Sequence, residues 1–238
     1  MTITAFAAAS AAVFAGSAVQ GIAGFGMALL SVPILLHFLP QTTVTPCLAV
    51  TCTVMNAFFM WNLRHSISWK LIVPVLLGAA AGVLPGVKLL QYVPAGPFKA
   101  GVGVVITLSG LLLWRGVTCP LHSPVLQLAV GAVAGVMSGA LSVSGPPVAV
   151  FFTAGSVHKD VFRASLAMFF LALNLFTLGA LTVEGLLTPQ LLRFSAGLMP
   201  AMLAGSLVGL KLAGRVSEKT FRGFVMTMII LSGLSLLW

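Results

Sequence analysis

Residues Ala5–Leu39 read AFAAASAAVFAGSAVQGIAGFGMALLSVPILLHFL, without one Asp, Glu, Lys or Arg. As a single helix this stretch would run about 50 Å at ~1.5 Å per residue. A bilayer core is about 30 Å thick, so the chain has to break or turn back. Gly21, Gly24 and Gly26 mark where, because glycine tolerates the backbone angles a break demands.

The rest of the 238-residue chain is of the same kind. It is 59% hydrophobic and 6% charged, with a mean hydropathy of +1.14, where soluble domains carry about 25% charged residues. Apolar stretches recur at Leu71–Leu90, Gly101–Trp114, Phe162–Val183, Leu191–Leu212 and Phe224–Trp238. They lack the alternation of a transmembrane barrel, and backbone groups in hydrocarbon must be satisfied internally, so these segments are expected to be helices. An all-α, multi-pass integral protein of a bacterial-type inner (plasma) membrane follows. The net charge of +9 comes from 12 Lys and Arg scattered among short loops. That pattern excludes a nucleic-acid stripe and fits the positive-inside rule. Cys47, Cys52 and Cys119 form no metal-ligand spacing, so neither metal nor cofactor is expected. The apolar N-terminus lacks the basic n-region of a signal peptide.

The second half repeats the first. Gly21 pairs with Gly139, Ser31 with Ala149 and Asn56 with Asn174, each 118 positions apart. Further on, Gly82 pairs with Gly205, Gly86 with Gly209, Lys88 with Lys211, Phe98 with Phe221 and Lys99 with Arg222, each 123 apart; Ser109-Gly110 pairs with Ser232-Gly233. Shared Lys, Asn and Phe positions are hard to obtain from biased composition alone. Two homologous halves, 1–118 and 119–238, are expected within one transmembrane domain. Each begins with a glycine-interrupted element (Ala5–Leu39; Val125–Gly155) followed by three spans, Val44–Leu63, Leu71–Leu90 and Phe98–Trp114, then Phe162–Val183, Leu191–Leu212 and Phe221–Trp238.

Two topologies remain open. If each leading element crosses once, the repeats are parallel and basic residues split 8 to 4 between the two sides; if it is a re-entrant hairpin, the repeats are inverted and the split is 9 to 3. The positive-inside rule favours the hairpin slightly. Both topologies put Lys159–Arg163 and Lys211–Arg222 in the cytoplasm and both termini outside.

Irregular backbone at membrane depth is tolerated where protein buries it or where it lines a wet cavity. Matching breaks in two halves therefore point at one functional centre. A half-helix starting at a break offers unpaired N–H groups and a positive dipole end, which suits an anion. The candidate site residues are Gln20, Gly21, Gly24, Phe25 and Gly26 at the first break and Ser138, Gly139, Ser142, Ser144, Gly145 and Pro146 at the second, with Ser17 and Ser31 nearby. Gly16, Gly131 and Gly135 read instead as helix-packing contacts. Asn56 and Asn174 occupy equivalent places in apolar spans, where an amide needs a partner: substrate, broken backbone or a neighbouring helix. Thr51 and Thr53 are expected to bond back to their own helix. Asp160, Glu184 and Glu218 sit at span ends, so an intramembrane carboxylate relay is missing. The four histidines read as boundary residues and Lys88 and Lys211 as snorkelling side chains. Arg163 could draw anions to the cytoplasmic mouth, although topology alone accounts for it.

The element Gly21-Ile-Ala-Gly-Phe-Gly-Met-Ala-Leu-Leu-Ser-Val-Pro33, with its counterpart Gly135-Val-Met-Ser-Gly-Ala-Leu-Ser-Val-Ser-Gly-Pro-Pro147, resembles the duplicated signature of the sulfite exporter TauE/SafE family of membrane permeases. The resemblance implies export of sulfite or small organosulfonates. The second copy departs from the usual glycine run at Ser142, Ser144 and Pro146-Pro147, and the cysteines stand in sequence away from both breaks. The expectation is a secondary transporter of a small anion in the lipid bilayer, not an enzyme, compatible with a homo-oligomer. An anion channel or uniporter is the nearest rival, and a non-transporting membrane subunit or a redox carrier stands further off.

Overall fold

The computed structural model describes residues 3–92, 123–155 and 157–235, together with residues 100, 103, 104, 107, 108, 111 and 115. Phe98, Lys99, Ser109, Gly110, most of the third predicted span, the boundary at 118/119, Cys119, His122 and Trp238 lie outside the described residues. The helices are α1 (Ile3–Ala23), α2 (Met27–Leu36), α3 (Gln41–Leu63), α4 (Trp69–Tyr92), α5 (Pro124–Leu141), α6 (Gly145–Ala154), α7 (Lys159–Val183), α8 (Pro189–Ala213) and α9 (Glu218–Ser235). Among the described residues no strand occurs, and six helices are long and apolar enough to cross a membrane. Leu77, Leu84, Leu175, Phe176 and Leu207 are exposed on their outer faces, as helices solvated by lipid require.

Both predicted interruptions exist, and each lies three residues beyond the glycine that heralds it. Gly21 and Gly139 stay helical; the chain leaves the helix at residues 24–26 and 142–144. At the first break Gly24 (φ 84°) and Gly26 (φ 123°) take angles that a side chain would strain. At the second, Ser142 itself adopts the left-handed region (φ 54°) and closes α5 through its N–H to Ser138 O.

After the first break the chain doubles back. A Cβ at Gly16 would meet Met27 O at 2.7 Å, and Ser31 Oγ donates to Ala12 O at 3.2 Å, so α2 runs antiparallel along α1.

Two close helix pairs frame the bundle. Gly78, Gly82 and Gly86 of α4 face Leu128, Ala132 and Val136 of α5, while Gly131, Gly135 and Gly139 of α5 face Val75, Ala79 and Val83 of α4. The two helices therefore run parallel, each glycine filled by the other's backbone, and any side chain there would collide. α8 lies against α1 in the same manner, with Gly205 on Phe14 O and Gly209 on Ala18 O and Gly21. α3 and α7 pack together between these pairs.

Ser68 N–H donates to Ser165 Oγ at 3.1 Å, which sets the α3–α4 turn beside the start of α7. Lys159 Nζ reaches Val216 O at 2.7 Å, and Phe162 packs edge-on to Phe221. Arg64, Lys70, Lys159, Arg163, Lys211, Arg215 and Lys219 consequently share one end of the bundle, whereas Lys88 and Arg193 lie towards the other.

Candidate functional site

The two breaks meet in the middle of the bundle. A cavity of about 30 Å³, measured as space open to the centre of a water molecule, is lined from the first break by Gln20, Phe25, Gly26, Ala28 and Leu29, and from the second by Ser142, Val143, Ser144 and Gly145. Cys52 and Asn56 of α3 and Phe170 and Asn174 of α7 close the remaining sides. About 10–15 Å³ on this measure holds one water, so the space has room for a few waters or a small anion. Eight of the sequence candidates line it, namely Gln20, Phe25, Gly26, Asn56, Ser142, Ser144, Gly145 and Asn174. Gly21 and Gly139 instead lie on the two close helix contacts, Ser138 Oγ shares a hydrogen bond with Thr177 Oγ1 at 3.0 Å, and Gly24 and Pro146 stand behind the lining.

The polar groups are unequally satisfied. Gln20 Oε1 accepts from Met27 N–H at 3.2 Å, capping α2, while Gln20 Nε2 donates to Asn56 Oδ1 at 2.8 Å. This relay fixes Asn56 with its Nδ2 donors unbonded. Asn174, only 6% exposed, has no side-chain hydrogen bond among the described residues, and neither has Ser144, also 6% exposed. Neither side chain is among the polar groups sealed from solvent, so both open onto the cavity and are free to meet what fills it.

The peptide N–H groups expected at both breaks are not alike in the two places. At α2, Met27 N–H is already capped, Leu30 N–H bonds Gly26 O, and the first-turn donors left over are Ala28 and Leu29. At α6 the matching positions are Pro146 and Pro147, which have no N–H. Gly145, the counterpart of Met27, keeps an N–H without a side-chain cap, so each break retains a peptide donor. The second break adds the hydroxyl of Ser144.

A correction concerns the cysteines. Cys52 is far from both breaks in sequence, yet it lines the cavity, with Sγ 3.7 Å from Sδ of Met27. Its place on α3 one turn before Asn56 was the signal available. Thr51 and Thr53 bond back to Cys47 O and Ala49 O at 3.0 and 2.7 Å, as such residues do inside helices.

Arg163 was the residue that sequence reasoning undervalued. It is only 7% exposed, its Nη2 donates to Gly21 O at 2.6 Å, and its stem packs on Gly24. On the opposite side of the bundle Thr45 Oγ1 and Gln41 Nε2 donate to Ala140 O, and Ser142 Oγ donates to Thr45 O at 2.8 Å. Each break is thus tied to a helix of the other half.

The family model described as Sulfite exporter TauE/SafE matches residues 8–236. The chain is 22% identical over 233 residues to the Cupriavidus necator protein named "Probable sulfite/organosulfonate exporter TauE", covering 94% of this chain and 90% of that one. No solved structure matches the chain significantly.

Proposed function

The chain belongs to the sulfite exporter TauE/SafE family, and from that membership and the cavity between the breaks we propose that it exports a small oxyanion, sulfite or an organosulfonate, across the bacterial inner membrane as a secondary transporter. The observation that carries this reading is the cavity itself. Both breaks and both asparagines line it, and Asn174 and Ser144 have no protein partner there.

An anion leaving water must recover its lost hydration from fixed donors. Asn56 Nδ2, Asn174 Nδ2, Ser144 Oγ and the N–H groups of Ala28 and Leu29 supply them, and the N-terminal dipole of α2 adds about half a positive charge. A neutral set of this kind binds an anion without holding it permanently, which a transporter needs.

The chain reads as two inverted repeats. Ala23, Met27, Leu36 and Gln41 bound elements in the first half, and Leu141, Gly145, Ala154 and Lys159 bound the same elements 118 residues on. The antiparallel course of α2 along α1 and the Ser68–Ser165 contact support the re-entrant hairpin, with basic residues gathered at the cytoplasmic end and both termini outside. Rocking of one half against the other about the shared cavity then opens the site to each side in turn.

A panel of radiolabelled sulfite, sulfate, sulfoacetate and carboxylates in proteoliposomes tests the assignment. Saturable uptake of sulfite or a sulfonate, accelerated by unlabelled anion on the far side, is expected. Flux that does not saturate and shows no acceleration would make the protein a channel; no flux of any anion would remove the transport reading.

A further inference from the structure

Among the described residues Arg163 is the one charged side chain that is buried, in a chain with 6% charged residues. No carboxylate approaches it within ion-pair distance there; Asp160, one turn earlier, stays half exposed and pairs with His158 at 3.9 Å. A guanidinium withdrawn from water with its nearest counter-charge, Asp160, beyond ion-pair distance is costly. Its single hydrogen bond goes to Gly21 O, in the last turn of α1, and its Nε is sealed from solvent with no partner.

Capping α1 does not account for the charge. Thr45, 118 positions before Arg163, performs the matching task at the second break, donating through a neutral hydroxyl to Ala140 O at 3.2 Å. A cap therefore needs a donor and no cation. The cation stands only at the first break, where the unpaired N–H groups of Ala28 and Leu29 are also found and which faces the basic end of the bundle.

We propose that Arg163 is an exchangeable ligand for the transported oxyanion. In the empty protein its guanidinium is parked on Gly21 O. As an anion passes from the basic end towards the cavity, two of its oxygens replace that carbonyl in a two-point contact, for which the planar guanidinium is shaped. Giving up Gly21 O frees the turn at Gly24, on which the Arg163 stem rests, and so couples arrival of the anion to movement of the first break. This inference rests on the oxyanion-transport reading and adds to it a charged residue outside the cavity lining.

The test is equilibrium binding of sulfite to the purified full-length protein in detergent, alongside its thermal unfolding, for wild type, Arg163→Lys and Arg163→Gln. We expect the Kd to rise about tenfold or more in Arg163→Gln, the loss of one charge-assisted contact, and by a smaller factor in Arg163→Lys, which keeps the charge without the two-point geometry. A purely structural cap would lower the Tm of both variants and leave the Kd at the wild-type value, and that result overturns the proposal. Should Arg163→Gln fail to fold, an unchanged Kd in Arg163→Lys overturns it alone. Absence of binding of sulfite and, in the same assay, of sulfoacetate by the wild type would instead refute the transport reading itself, so the two failures are distinguishable.

Discussion

Phe25 and Gly145 touch: a Cβ built at Gly145 would lie 3.0 Å from Cδ2 of the Phe25 ring. Residues 120 positions apart, one from each break, thereby form the floor where the two halves meet. Phe25 is 1% exposed, and the cavity it lines is the open space beside it.

Gly145→Ala should therefore push the ring into the cavity and slow sulfite uptake about threefold or more, because well-packed interiors transmit even one added methyl. Phe25→Leu in the same chain should restore part of that loss, since the two positions are in contact and couple non-additively. Transport kinetics of the two single variants and the double variant measure this. Equal losses in Gly145→Ala with and without Phe25→Leu would mean that the breaks do not share a floor.

Asn56 and Asn174 should part company in stability. Removing the side chain of Asn174, which has no hydrogen bond among the described residues, should leave the Tm in detergent unchanged or slightly higher. Asn56→Ala strands Gln20 and loosens the cap on Met27, a loss of about 1–2 kcal/mol. Ser10→Ala on α1 serves as the control for both.

The membrane character, the two breaks and the paired asparagines were legible because each leaves a mark in composition or spacing. Ala5–Leu39 is too long for one unbroken helix to fit the bilayer core, and Gly24 and Gly26 occupy angles only glycine takes freely. Three features were not legible, each for a physical reason. Cys52 reaches the cavity through the rotation of α3, which no sequence pattern fixes to within one residue. The capping role of Gln20 depends on α2 folding back over α1. Arg163 resembled any basic residue at a span start, and only its contact with Gly21 O, 142 residues away in the chain, reveals it as buried.

The hairpin course of α1 and α2 makes a topological prediction. With Cys119 replaced by serine and the native Cys47 and Cys52 buried, a cysteine introduced at Ser66 should react with an impermeant maleimide in inside-out vesicles and not in intact cells. Reaction from outside would require the leading elements to cross once.

The central claim is that the amide of Asn174 waits for an anion in the cavity between the breaks. Calorimetric titration of sulfite into the purified protein tests it most directly. Wild type should bind saturably, and Asn174→Ala should bind about tenfold more weakly or worse, with its thermal unfolding preserved. A variant that folds normally and binds sulfite as tightly as wild type would contradict the account.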